Sequence, residues 1–187
     1  MIHDRIIGRQ VSFMKQTFEC ISYSPTHYRM NFTLHPGGSI PGHRHPFMDE
    51  LFEIREGGSM FTLDRKESLR TAGEQVHVPR GQLHAIRNTS AHPMHCTVTY
   101  TPGSDTHRMF AIYTDLHDQG YREATLMMKG EYLCLAAGLE TFAESAGVLR
   151  VVEKTIQSVL KVIGKLKGWD KEAVRYRDGI PSAAKPE

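Results

Sequence analysis

Between residues 28 and 100 the chain is cut into short alternating segments, and this punctuation restricts the available folds more than any other feature. Residues 28–34 set Met30, Phe32 and Leu34 against Arg29, Asn31 and Thr33, and Pro36-Gly37-Gly38 closes the segment. Residues 50–55 alternate again, with Glu50, Phe52 and Ile54 on one side, and end at Gly57-Gly58. Residues 59–63 and 68–71 flank a turn at Asp64-Arg65-Lys66-Glu67, and residues 75–78 run into Pro79-Arg80-Gly81. Residues 84–87 and 94–100 follow. Short strands at regular spacing, with Gly and Pro between them, predict a mainly β sandwich or barrel. A one-residue slip in the first segment would send Asn31 and Thr33 inward in place of Met30 and Phe32.

After Pro102-Gly103-Ser104 the period changes. Over residues 142–169, Val148, Val152, Ile156, Val159, Ile163 and Leu166 recur every three or four positions, which is one apolar stripe of a helix. The other side carries Arg150, Lys154, Lys161, Lys165 and Lys167. Such a helix can lie on a membrane, but the reading preferred is that the stripe packs on the barrel or on a second subunit, since tertiary packing stabilises most helices. One or two shorter helices are expected over residues 109–141, interrupted by Gly120, Gly130 and Gly138. The chain therefore divides into an N-terminal arm (1–26), a barrel core (27–104), a helical extension (105–177) and a disordered tail (178–187).

Within 187 residues there are 23 Lys and Arg against 21 Asp and Glu, a balance that does not indicate nucleic-acid binding. No run of 18 apolar residues is present, so no stable membrane insertion is expected. Cys20, Cys96 and Cys134 are odd in number and form no CxxC pair, which fits a reducing, cytoplasmic setting, and Cys96 and Cys134 are expected to be small core residues.

Eleven histidines are present, and spacing sorts them. His43 and His45 are two apart, so on a strand both imidazoles project from one face, as joint ligation of an ion requires. Glu50 opens the next strand on the face of Phe52 and Ile54. A carboxylate in that apolar wall would be costly without a partner, and a cation explains its placement. His84 begins a strand aimed by the Pro79–Gly81 turn and could supply a third imidazole. Three His and a Glu suit one divalent transition metal, and Fe, Mn, Ni, Cu and Zn all remain open. Four protein ligands leave positions at which a substrate or dioxygen could bind. Met30, Phe32, Phe52, Ile54 and Ile86 are the candidate lining of a substrate pocket. His77 is expected to face outward, His95 to be a satisfied surface or core histidine, and Asn88 to tie a turn through its side chain.

These two stretches resemble the paired motifs of the cupin superfamily. The first, G(X)5HXH(X)3-4E(X)6G, is matched at Gly37, His43, His45, Glu50 and Gly57. The second, G(X)5PXG(X)2H(X)3N, is matched at Gly73, Pro79, Gly81, His84 and Asn88. All ten specified positions agree, with residues 58–72 between the motifs. The arm and helical tail are similar to those of small, single-domain, quercetinase-like cupins. The resemblance implies a double-stranded antiparallel β-barrel, or jelly roll, with a C-terminal α-helical extension and a metal held by His43, His45, Glu50 and His84. It also implies a homodimer, often formed through an N-terminal strand, and a Glu50 that in some cupins leaves the metal to act as a base. Three functions follow from it: a metal-dependent, dioxygenase-like enzyme acting on a small organic molecule, a metal-dependent isomerase, cyclase or lyase, and a non-enzymatic small-molecule binding or sensing protein. Fold alone does not choose among them.

Overall fold

The computed structural model describes residues 6–139, 143–145 and 148–177, so the expected disordered tail lies outside the described residues. Among the described residues, eleven strands and four helices follow one another. The strands are β1 (Gln10–Phe13), β2 (Gln16–Tyr23), β3 (Tyr28–Leu34), β4 (Ser39–Arg44), β5 (Asp49–Glu56), β6 (Gly58–Leu63), β7 (Lys66–Thr71), β8 (Gln75–Val78), β9 (His84–Arg87), β10 (Met94–Thr101) and the short β11 (Glu144–Ser145). The helices are α1 (Thr106–Asp118), α2 (Glu123–Ala136), α3 (Val148–Leu166) and α4 (Asp170–Arg177).

Two antiparallel sheets face each other. One has the order β1-β2-β3-β10-β5-β8 and the other β11-β4-β9-β6-β7. The alternation sets the inner faces as expected. Met30, Phe32, Leu34, Glu50, Phe52, Ile54 and Ile86 are all buried, while Asn31 and Thr33 are only half-buried. All the buried ones but Glu50 join Phe61, Val76, Val98 and Tyr28 in one apolar core between the sheets. The hairpin β6–β7 turns on Asp64 and Arg65 alone, both with positive φ, so Lys66 and Glu67 belong to the strand. Gly57 lies at φ +69°, and a Cβ there would meet the carbonyl oxygen of Pro93 at 2.3 Å, so no side chain is tolerated between β5 and β6.

The arm contributes β1 and β2 to the larger sheet, β2 pairing with β3 from Gln16↔Leu34 to Tyr23↔Tyr28. The helices build a second core around Ile112, Leu116, Leu126, Leu133 and Leu160, which the arm reaches through Val11. The long helix expected over residues 142–169 is shorter: α3 stops at Leu166 because Gly168 adopts a left-handed conformation, with Trp169 N–H donating to the Gly164 carbonyl, and α4 starts anew. The barrel does not cover the apolar stripe, which leaves the expected alternative of a second subunit. The side packed on α2 carries Leu160 and Gly164, whereas Val152, Ile156, Val159 and Leu166 are exposed in the single chain. Among the described residues, no helix is long and apolar enough to cross a membrane.

Candidate metal centre

The two motifs become adjacent through strand register. β4 pairs with β9 so that His43 stands opposite His84. β5 lies in the other sheet, with Glu50 opposite Tyr100 of β10. The site therefore bridges the two sheets at one end of the barrel. His45 falls just past the end of β4, and a loop-to-loop staple holds it: the Gly81 N–H donates to the His45 carbonyl (2.8 Å), and the Arg80 N–H to Asp49 Oδ1 (2.8 Å). Gly81 can make this turn at φ +79° because it lacks a Cβ. Asn88 ties this arrangement structurally. Its Nδ2 donates to the carbonyls of Leu34 and His92 (both 2.8 Å), and its Oδ1 accepts from Ser90 N–H and Oγ.

One ligating atom from each of His43, His45, Glu50 and His84 lies within 4.8 Å of the others. His45, Glu50 and His84 are buried, and His43 alone is partly exposed, so the cluster opens on its side. Backbone carbonyls fix two of the rings. His43 Nδ1 donates to Pro41 O (2.8 Å) and His84 Nδ1 to Gln82 O (3.2 Å), which leaves each Nε2 as a bare lone pair. Glu50 Oε2 lies 3.1 Å from His45 Nε2 and 2.9 Å from His84 Nε2. The second approach lacks hydrogen-bond alignment, and His84 Nε2 is a buried nitrogen without a hydrogen-bond partner.

A lone pair facing a carboxylate oxygen at that distance calls for a cation between them. Two donors about 2.1 Å from one ion and at right angles to each other stand ~3.0 Å apart, close to both spacings. The donor set thus fits a divalent transition metal, with neutral imidazoles and an ionised carboxylate. Burial opposes ionisation of Glu50, but the hydrogen bond and charge of His45 and the nearby His84 outweigh it and hold the carboxyl below its usual range. Burial, with His84 and His45 beside it, pulls the His43 imidazole down to about 4, against a smaller opposing pull from Glu50.

Sequence reasoning missed Tyr100. Its hydroxyl donates to Glu50, its ring stands 5.3 Å from that of His45, and burial followed by the Glu50 charge pushes its phenol well up. Parity along β10 turns Met94, Cys96, Val98 and Tyr100 to the interior, but only register shows that Tyr100 meets Glu50. Strand β11 was also unforeseen; it pairs Ser145 with His43 and Glu144 with Arg44. The candidate pocket residues Met30, Phe32, Phe52, Ile54 and Ile86 belong to the packed core. Phe52 and Ile86 continue inward from Glu50 and His84 on the same strand faces. His77 is exposed, and His95 is held by Thr33 Oγ1 at 2.9 Å. A cavity of about 240 Å³ lies between Met48, Thr106, Met109, Glu131 and Cys134, and none of the four clustered residues lines it.

Residues 30–109 match the cupin domain family model, so this part of the chain is a cupin domain. Solved structures of similar fold include KdgF from Halomonas sp. (13% identity, 49% of this chain and 83% of that one, TM-score 0.46). A predicted oxalate decarboxylase from Thermotoga maritima is 19% identical over 54% of this chain and 96% of its own, with a TM-score of 0.47. The polyketide cyclase RemF from Streptomyces resistomycificus is 20% identical over 50% of this chain and 69% of its own, with a TM-score of 0.45. Among curated proteins, none matches the chain.

Proposed function

We propose that this cupin is a metal-dependent enzyme that acts on a small organic molecule, with one divalent transition ion held by His43, His45, Glu50 and His84. The observation that carries the reading is the convergence of four ligating atoms within 4.8 Å, with His84 Nε2 unpartnered among them. Such an ion, when bound, supplies Lewis-acid polarisation of a substrate oxygen or, if redox-active, dioxygen chemistry.

The chain's own groups set the rest. The carbonyls of Pro41 and Gln82 orient His43 and His84, and the Tyr100 hydroxyl orients Glu50. These contacts keep the carboxylate ionised and occupied, which favours a ligand role for Glu50 over that of a mobile base. Substrate enters on the partly exposed His43 side, and Phe52 and Ile86 form the apolar floor that keeps water from the inner side of the ion. Met30, Phe32 and Ile54 support that floor from the core. Free Cys20, Cys96 and Cys134 support a reducing, cytoplasmic setting.

The dioxygenase-like form of the proposal rests on the resemblance to quercetinase-like cupins, and oxygen uptake tests it. The Fe, Mn or Ni form is expected to consume dioxygen with a flavonol or a catechol, and Glu50→Ala to abolish the uptake. Turnover of a substrate without oxygen uptake would replace it with isomerase, cyclase or lyase chemistry. Absence of turnover by every metal form, with tight binding of a small ligand, would make the protein a binding or sensing cupin.

A further inference from the structure

Helix α3 carries two seams of different fate. Glu153, Gln157, Leu160 and Gly164 face α2: Gln157 Nε2 donates to Glu131 Oε1 (2.9 Å), Leu160 is buried, and Tyr132 packs on Gly164. A third of a turn away lie Val152, Ile156, Val159, Ile163 and Leu166. Their spacing of four, three, four and three is the alternation of a coiled-coil seam, which keeps a straight row of apolar side chains toward a second helix.

Among the described residues that row has no partner. Val152, Ile156, Val159 and Leu166 of the row, together with Val151 and Val162 about a quarter-turn to one side, are between 47% and 83% exposed. They leave on the order of 700 Å² in water, more than the ~300–600 Å² of the largest patch on a typical monomer and near the ~800 Å² that each partner gives to a stable interface. A groove of about 670 Å³ runs alongside, bounded by Met127, Met128, Val152, Ile156, Val159 and Ile163, and has room for side chains from a facing helix.

We propose that this face is a homodimer interface in which the α3 row of one chain packs on the α3 row of a second copy. The area matches a two-fold contact, and an isologous contact needs only one self-complementary patch. The charges agree with it. Lys154, Lys161 and Lys165 lie on the far side of the helix from the row, so two copies meet without opposing lysines. The assignment does not depend on the metal. It does place the interface beside the metal centre, since Pro41 borders the groove and its carbonyl holds His43.

Analytical ultracentrifugation of the full chain from about 1 to 100 µM tests this. Wild type is expected to sediment as a dimer. Ile156→Glu/Val159→Glu, which puts charge on exposed positions, is expected to weaken the dimer at least about 100-fold with the helical circular dichroism and melting temperature kept. Lys161→Glu/Lys165→Glu is expected to remain dimeric. A wild type monomeric over the whole range would overturn the proposal, and its pelleting with phosphatidylserine vesicles would assign the face to a bilayer. A dimer that survives Ile156→Glu/Val159→Glu would also overturn it, by placing the contact elsewhere.

Discussion

Replacing Asn88 by Ala tests whether the last residue of the second motif is structural. The amide is buried and makes contacts at both ends: Nδ2 to Leu34 O and His92 O, and Oδ1 from Ser90 N–H and Oγ. Each such hydrogen bond contributes ~1 kcal/mol net, and a buried group left unpaired adds more. Ser90 can turn to water because it is exposed, but Leu34 O is sealed in the core. The expected loss for Asn88→Ala is therefore about 2–4 kcal/mol. Asn88→Asp sharpens the argument. It keeps the acceptor for Ser90 but sets a carboxylate oxygen against two carbonyl oxygens, so the isosteric change should cost at least as much as the truncation. Urea unfolding followed by fluorescence and circular dichroism gives both values, provided the m-values agree. Metal content per folded chain should be unchanged in Asn88→Ala, since the residue contacts none of the clustered groups. A stability within ~0.5 kcal/mol of wild type for either variant, or metal loss in a fully folded Asn88→Ala, would refute the reasoning.

Three further outcomes follow from the packing and the charges. Gly164→Ala should destabilise by about 1–3 kcal/mol by overpacking, although Ala favours helix, because the new Cβ would lie 2.1 Å from Tyr132 Cε2 and that ring is buried against Trp169; a more stable Gly164→Ala in urea would contradict the α2–α3 contact. Tyr100→Phe removes the donor to Glu50 and should lower metal affinity about 10–100-fold in a competitive chelator titration, with the thermal melt of the metal-free protein nearly preserved. Burial raises the Glu131 carboxyl, partly countered by Gln157, so the folded chain binds a proton that the unfolded chain has released, and this contribution to stability is lost as pH rises through the folded pKa. Glu131→Gln should then be more stable than wild type at pH ~7, with the gain vanishing below pH ~4; an unchanged pH profile would count against burial of that charge.

Most of the barrel was legible because its strands alternate. The inward turn of Phe52, Ile54 and Ile86 follows from period two, and so does the apolar wall around Glu50. The first hairpin was not legible. Met14 and Lys15 take positive φ (49° and 60°) without a Gly or Asn to signal it, so β1 and β2 merged into an undivided arm. β4 was hidden differently, since Pro41 and Gly42 resemble a loop and its last three residues are all half-buried instead of alternating. Residue spacing brought out His43, His45, Glu50 and His84, whereas Tyr100 and the carbonyls of Pro41 and Gln82 depend on register and backbone direction. In α3 the apolar stripe drew attention from the narrower Leu160–Gly164 contact that docks the helix.

The central claim, that His43, His45, Glu50 and His84 hold one ion, is most directly tested by elemental analysis of the purified chain beside His84→Ala. The account predicts about one transition-metal ion per wild-type chain, native or after reconstitution, and a large loss in a folded His84→Ala. Metal-free wild type in both preparations, or a His84→Ala that retains metal like wild type, would contradict it.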